Sequence, residues 1–196
     1  MNYLAHAYLS FNHPTILLGN MISDYVKGKK QFDYPAEVQK GIRLHRAIDK
    51  FTDEHIITKE LKKIFLPQVG LYAGAFIDIV YDHFLATSEM TEKEWMIFSQ
   101  NTYNHLDSHQ HLFPEKFAKL FPYMREQNWL YNYRFIWGIE NSFGGLVRRA
   151  KYLDNSTEAF NSFNIHYQTL EKEAFVFIKE VKEFTQEQFD LIIQTT

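Results

Sequence analysis

The stretch GIRLHRAIDKFTDEH, residues 41–55, limits what this chain can fold into more than any other. At about 100° per residue, Gly41, Leu44, Ile48 and Phe51 fall on one stripe of a helix. Arg43, Arg46, Ala47, Lys50 and Glu54 take the opposite, solvated side. Helical patterning continues along the chain, and helices are expected over roughly 14–27, 35–54, 57–66, 69–87, 91–109, 114–125, 128–150 and 156–184, with a short terminal one beyond. Pro14 and Pro35 sit where helices can begin, because a first helical position has no use for an N–H. TEKE (Thr91 to Glu94) and TQEQ (Thr185 to Gln188) have capping-box spacing, and Gly28 follows TILLGNMISDYVK as a C-terminal stop. Sustained strand alternation, Asn-Gly or Asp-Gly turns, repeats and linkers are all missing from the sequence. The reading is all-α: a single-domain helical bundle over residues 1–196.

Composition narrows the function. A 45% hydrophobic chain with 18 Phe and 12 Tyr can fill one substantial core. A net charge of −3 gives no basic field, so nucleic acid is not expected as a partner. With no cysteine there are no disulfides, thiolate nucleophiles, zinc fingers or iron–sulfur clusters. MNYLAHAYLSFNHP lacks a basic n-region and carries His6 in its apolar run, so it does not read as a signal peptide. AFIDIVYDHFLA is interrupted by Asp78, Asp82 and His83, and no apolar stretch approaches the about 18 residues of a membrane span. The expectation is a cytoplasmic protein free of membranes. Without a heptad seam, a monomer or weak dimer is expected.

The polar residues beside the apolar stripes carry the chemistry. His45, Asp49 and Thr52 adjoin the core-facing stripe, with Ile42 and Asp53 at its margin. Asp78 and Asp82 lie i, i+4 on an otherwise apolar helix, and burying unpaired carboxylates is costly enough to demand cations, a metal or a shared proton. His83 is turned about 100° from Asp82. Asp24 follows Asn20 by one helical turn, and His6 sits in YLAHAYL. Asp24, His45, Asp49, Asp78 and Asp82 are oxygen and nitrogen donors from separate helices, the way a bundle builds an internal metal site. Such a donor set suits manganese, iron or magnesium better than structural zinc. The alternative is purely structural: Asp–Arg and Asp–His pairs, with a solvated histidine cluster in NHLDSHQH.

The segments MNYLAHAYLS, LLGNMISDYVKG, GIRLHRAIDKFTD and IDIVYDHFLA, in that order, resemble the acyl carrier protein phosphodiesterases, with a weaker echo in NWLYNYRFIWGIENSFGGLVRRA. That family is a divergent relative of the HD-domain phosphohydrolases, so the resemblance implies an HD-domain-like bundle. It also implies a divalent-metal enzyme, using Mn2+ with Mg2+ or Fe2+ as alternatives. The reaction implied is removal of 4′-phosphopantetheine from the serine of holo-acyl carrier protein. The matching positions are His6, Asn20, Asp24, His45, Arg46, Asp49, Thr52, Asp53, Asp82 and His83. HD domains carry adjacent His-Asp, whereas this chain has His45 with Asp49 and a reversed Asp82-His83.

On this basis Asp24, His45, Asp49 and Asp82 are expected as metal ligands, with Asp24 also placed among the catalytic residues. His6 and His83 are expected as acid or orienting groups, and Asn20, Arg46, Thr52, Asp53 and Asp78 as supporting or reserve residues. An acidic carrier protein calls for a basic surface, for which Lys27, Lys29, Lys30, Arg43, Arg46 and Lys50 are candidates. The competing functions are an HD-like phosphohydrolase acting on a small nucleotide or other phosphodiester, and a non-catalytic carrier-protein binder.

Overall fold

In the computed structural model, which describes residues 1–194, α1 (Tyr3–Tyr8), α2 (Pro14–Ile22) and α3 (Ala36–Glu54) carry the first polar motifs. They are followed by α4 (Ile56–Val69), α5 (Ala73–Ser88), α6 (Glu92–Asp107) and α7 (Glu115–Glu126). The last four are α8 (Trp129–Asn132), α9 (Ile136–Arg149), α10 (Thr157–Ile165) and α11 (Tyr167–Gln194). No strand occurs among the described residues, so the all-α expectation holds.

Helix α5 is the axis of the fold. Phe76, Ile77, Val80, Tyr81 and Phe84 are fully buried, and each contributes about 1.5–3 kcal/mol of hydrophobic stabilisation. Tyr81 stacks on Phe177 of α11 at 4.1 Å between ring centroids, and Phe76 packs on Phe143 of α9 at 4.5 Å. One contiguous core runs from Met1 to Val181.

The junction of α2 and α3 is closer than side chains permit. A Cβ on Gly19 would lie 2.1 Å from the Val38 carbonyl oxygen, and one on Gly41 would lie 2.3 Å from the Ile16 oxygen. The two helices cross backbone to backbone at these glycines, which brings Asn20 against the face of α3 that bears His45.

Local signals were obeyed unevenly. Pro14 opens α2, Pro35 precedes α3, and Thr91 and Glu94 form the expected capping box. The helix expected over 14–27 stops at Ile22 instead and tightens into 3-10 turns at Ser23–Tyr25 and Gly28–Asp33. Val26 is extended there so that its side chain can be buried, and Gly28, at φ 55°, lies inside the irregular segment rather than ending a helix. The span 128–150 breaks at Tyr133–Phe135, where Gly138 passes so close to the Asn132 carbonyl that a Cβ would meet it at 2.0 Å. The span 156–184 breaks at His166, and α11 then runs without interruption through Thr185. TQEQ is therefore not a capping box, because the buried Thr185 hydroxyl donates back to the Val181 carbonyl at 2.5 Å.

The segment 56–88 contains an 18-residue window of mean hydropathy 1.5, which by length and composition alone is apolar enough for a membrane span. It is folded as two helices. The chain turns at Gly70 (φ 53°), and α5 runs back along α4, with Thr58 bonded to the Tyr81 hydroxyl at 2.9 Å and Phe65 stacked on Phe76.

Candidate metal centre

Three elements bring donor atoms together. His6 comes from α1, His45 and Asp49 from successive turns of α3, and their ligand atoms all lie within 4.8 Å of one another. The two imidazoles stack at 3.9 Å between centroids and 15° between planes. His6 Nε2 is 3.1 Å from Asp49 Oδ1, and His45 Nε2 is 3.0 Å from Asp49 Oδ2. Asp24, from the Ser23–Tyr25 turn, adds Oδ1 at 3.3 Å from His45 Nε2. The imidazoles are buried and the carboxylates partly open, with Asp24 67% exposed, so the cluster has a closed floor and an accessible side.

Asn20 sets the direction of both rings. Its Oδ1 lies 2.8 Å from His6 Nδ1, and its backbone oxygen lies 2.7 Å from His45 Nδ1. Both partners are acceptors, so each neutral ring carries its proton on Nδ1 and turns an Nε2 lone pair toward the carboxylates. Lone pairs facing anionic oxygens at such distances need a proton or a cation between them. The amide nitrogen of Asn20 is itself held, donating to the His6 carbonyl at 2.8 Å and to Ser10 Oγ at 3.0 Å. Outer partners of this kind fix the tautomer and orientation of metal-binding histidines.

The charges respond accordingly. Burial opposes charging His45, yet its hydrogen bonds to Asp24 and Asp49 outweigh burial and push its pKa up to about 9. His6 goes down, through burial first and then through repulsion from His45. Burial would raise Asp49, but the hydrogen bonds from both histidines hold it far below the usual carboxylate range. The His45 hydrogen bond lowers Asp24 in spite of partial burial. Two imidazoles thus face two ionised carboxylates, an arrangement that a shared proton or a bound cation would balance. The mixed nitrogen and oxygen donors fit a divalent ion of the manganese, iron or magnesium type.

Several expected residues are elsewhere. Asp82 is fully buried, and its oxygens accept N–H groups from Asn2 (3.2 Å), Leu4 (2.8 Å) and Ala5 (3.3 Å), anchoring the start of α1. Its oxygens are engaged by backbone N–H groups, and it is not among the residues whose ligand atoms converge. His83 is also away from the cluster: Nδ1 meets the Tyr133 carbonyl at 2.7 Å and Nε2 the Tyr167 hydroxyl at 3.0 Å, among Phe84 and Phe163. It is a satisfied core histidine. Asp78 contacts the Met1 nitrogen at 2.9 Å, the exposed Asp53 pairs with Lys62 at 2.8 Å, and Thr52 bonds back to the Ile48 carbonyl at 2.8 Å. Arg46 ties down the loop before α3, donating to Gln31 Oε1 at 2.8 Å and to the Val26 carbonyl at 3.2 Å. Lys27, Lys29 and Lys30 are exposed in and just before the Gly28–Asp33 turn, and Arg43 and Lys50 are exposed on α3.

A family model described as acyl carrier protein phosphodiesterase matches residues 1–181. The chain belongs to the acyl carrier protein phosphodiesterase family. Within this family, the protein of that name from Photorhabdus laumondii is 31% identical over 170 residues, covering 85% of this chain and 86% of its own. The one from Klebsiella pneumoniae is 30% identical over 189 residues, covering 92% and 95%. That from Yersinia enterocolitica is 30% identical over 175 residues, covering 88% and 91%. No solved structure matches the chain significantly.

The sequence did not single out the residues that adjoin the cluster from the far end of α1. Tyr3 shares a short hydroxyl contact of 2.6 Å with Tyr25, next to Asp24. A wall of Trp129, Trp137, Asn141 and Arg149 lies beyond Asn2 and Tyr3. The only signal was the concentration of aromatic and amide side chains in NWLYNYRFIWGIENSFGGLVRRA.

Proposed function

We propose that this chain hydrolyses the phosphodiester joining 4′-phosphopantetheine to the serine of holo-acyl carrier protein, with a divalent ion held by His6, His45 and Asp49 and approached by Asp24 from the open side. The observation that carries this reading is the convergence of His6, His45 and Asp49 donors within 4.8 Å, under outer bonds from Asn20. The relatives' names supply the substrate, and the donor set supplies the reason for a metal. Manganese is the expected ion, with magnesium or iron(II) as alternatives.

When bound, such an ion supplies positive charge against the phosphoryl oxygens and acidifies an attacking water. The residues do the positioning. Asn20 keeps both Nδ1 atoms protonated, so both Nε2 atoms remain available as donors. Asp49 offers one oxygen to each histidine, and α3 holds His45 and Asp49 one turn apart. Asp24 stands at the solvent side, where the carrier serine would enter. Lys27, Lys29, Lys30, Arg43 and Lys50, all exposed and close to Asp24 or His45 in sequence, would supply the cationic surface suited to an acidic carrier.

Mass spectrometry of holo-carrier protein before and after incubation with the enzyme and manganese tests the reading. A mass loss equal to the prosthetic group, with apo-carrier as product, is expected. An unchanged carrier beside hydrolysis of a small nucleotide or other phosphodiester transfers the activity to that substrate class, and an unchanged carrier that still binds makes the chain a binder.

A further inference from the structure

A cavity of about 370 Å³, within the about 300–1,000 Å³ range of small-ligand sites, opens beside α1, between α8 and α9. Its walls are unlike the rest of the surface. Trp129 and Trp137 give broad apolar faces, and Trp137 is half exposed. Asn141 makes no side-chain hydrogen bond among the described residues, and the Asn132 amide donates to the Gln127 carbonyl while its oxygen accepts nothing. Arg148 and Arg149 end α9 at one side of the cavity, and neither has a carboxylate partner among the described residues. Gly138 makes the cavity possible by letting α9 approach the end of α8.

The cavity is linked to the candidate metal centre through the start of α1, although none of His6, Asp24, His45 and Asp49 lines it. Asn2 and Tyr3 line it and begin the helix that carries His6. The nitrogen of Met1, one residue earlier, lies 3.9 Å from Asp49 Oδ1. On the other flank the Tyr3 hydroxyl touches that of Tyr25, whose neighbour Asp24 contacts His45. Arg149 is close enough for its charge to bear on both hydroxyls.

A pantetheine arm has a matching order of groups: an anionic phosphate, a branched apolar segment, then amides in series with donors and acceptors. We propose that this cavity seats the prosthetic arm, with Arg148 and Arg149 facing the phosphate end, Trp129 and Trp137 enclosing the branched segment, and Asn132 and Asn141 pairing with the amides. The inference rests on the phosphodiesterase reading and adds where the arm lies. It makes arm recognition separate from carrier-surface recognition, which the lysines near Asp24 serve.

Calorimetric titration of wild type, Trp137→Ala and Asn141→Ala tests it, using holo-carrier, apo-carrier and free 4′-phosphopantetheine, with chelator present to prevent turnover. Both substituted side chains reach solvent, so circular dichroism is expected to match wild type. Each variant is expected to weaken holo-carrier and free 4′-phosphopantetheine by about tenfold while the Kd for apo-carrier stays put. Equal binding of the free arm by wild type and variants, or an apo-carrier Kd that rises in step with the holo-carrier Kd, overturns the assignment. Arm release by wild type, followed separately by mass spectrometry, reports on the catalytic reading. If it is absent, the free-arm titration still decides the cavity.

Discussion

His6 lies flat on His45, ring centroids 3.9 Å apart, and Asp49 reaches both Nε2 atoms with its two oxygens. Two stacked imidazoles cannot both be charged, and burial together with His45 keeps His6 toward its neutral form. A cation shared with the Asp49 carboxylate would hold the pair. Asp49→Asn is expected to lose stoichiometric manganese and to lower kcat/KM for holo-carrier by more than the roughly 10–100-fold typical of an outer partner. Elemental analysis of the purified variant checks this, and undiminished manganese content would remove Asp49 from the ligand set.

Asn20 acts one shell further out. Asn20→Ala leaves His6 Nδ1 without its acceptor and the His6 carbonyl without its donor, while the backbone oxygen that meets His45 Nδ1 stays in place. Manganese affinity is expected to fall about 10–100-fold, with about 1–3 kcal/mol lost in stability from buried groups left unpaired. Parallel metal titration and urea melting separate the two effects.

The α2–α3 crossing admits no side chain. Gly41→Ala would drive a Cβ to 2.3 Å from the Ile16 carbonyl, and separating the helices is expected to cost upward of about 3 kcal/mol. Gly145→Ala is the contrast: its Cβ meets nothing nearer than Arg148 at 3.7 Å, inside α9. That substitution is expected to stabilise by up to about 1 kcal/mol through helix propensity. Denaturant midpoints moving the same way in both variants would contradict the close approach.

Asp82 gives the stability a pH signature. Burial pushes its carboxyl up to about 7, against the pull of the Met1 amino group and the three N–H donors. An aspartate in an unfolded chain titrates at about 3.9, so between about pH 4 and 7 the folded state binds more protons than the unfolded state. Stability therefore falls as pH rises through that window, by about 4 kcal/mol in full. Urea midpoints of wild type are expected to decline relative to Asp82→Asn over this range, and parallel curves would count against it.

Periodicity made α3 readable from sequence, including which side carries His45 and Asp49, because one face of a long amphipathic helix repeats its signal over several turns. The centre was legible in part for the same reason: His45, Asp49 and Asp24 carry strong local context. Asp82 and His83 were misread because burial alone does not say what a polar group faces. The partners that satisfy them are backbone atoms of Leu4 and Tyr133, far away in sequence and carrying no side-chain signal. The breaks at Tyr133–Phe135 and His166 were invisible because each junction is set by packing, and no proline or capping residue announces it. Helix α1 escaped notice because six residues are too short to show a period.

That shortness has a kinetic side. A helix of six residues has no stability of its own in water, and α1 is held at its first turn by a carboxylate some eighty positions away. His6 is therefore expected to take its place after α5 has docked, late in folding. Release of α1 from Asp82 would dismantle the centre while α5 stays packed. Amide exchange at Leu4 and Ala5 should then report loss of the centre before the bundle itself opens.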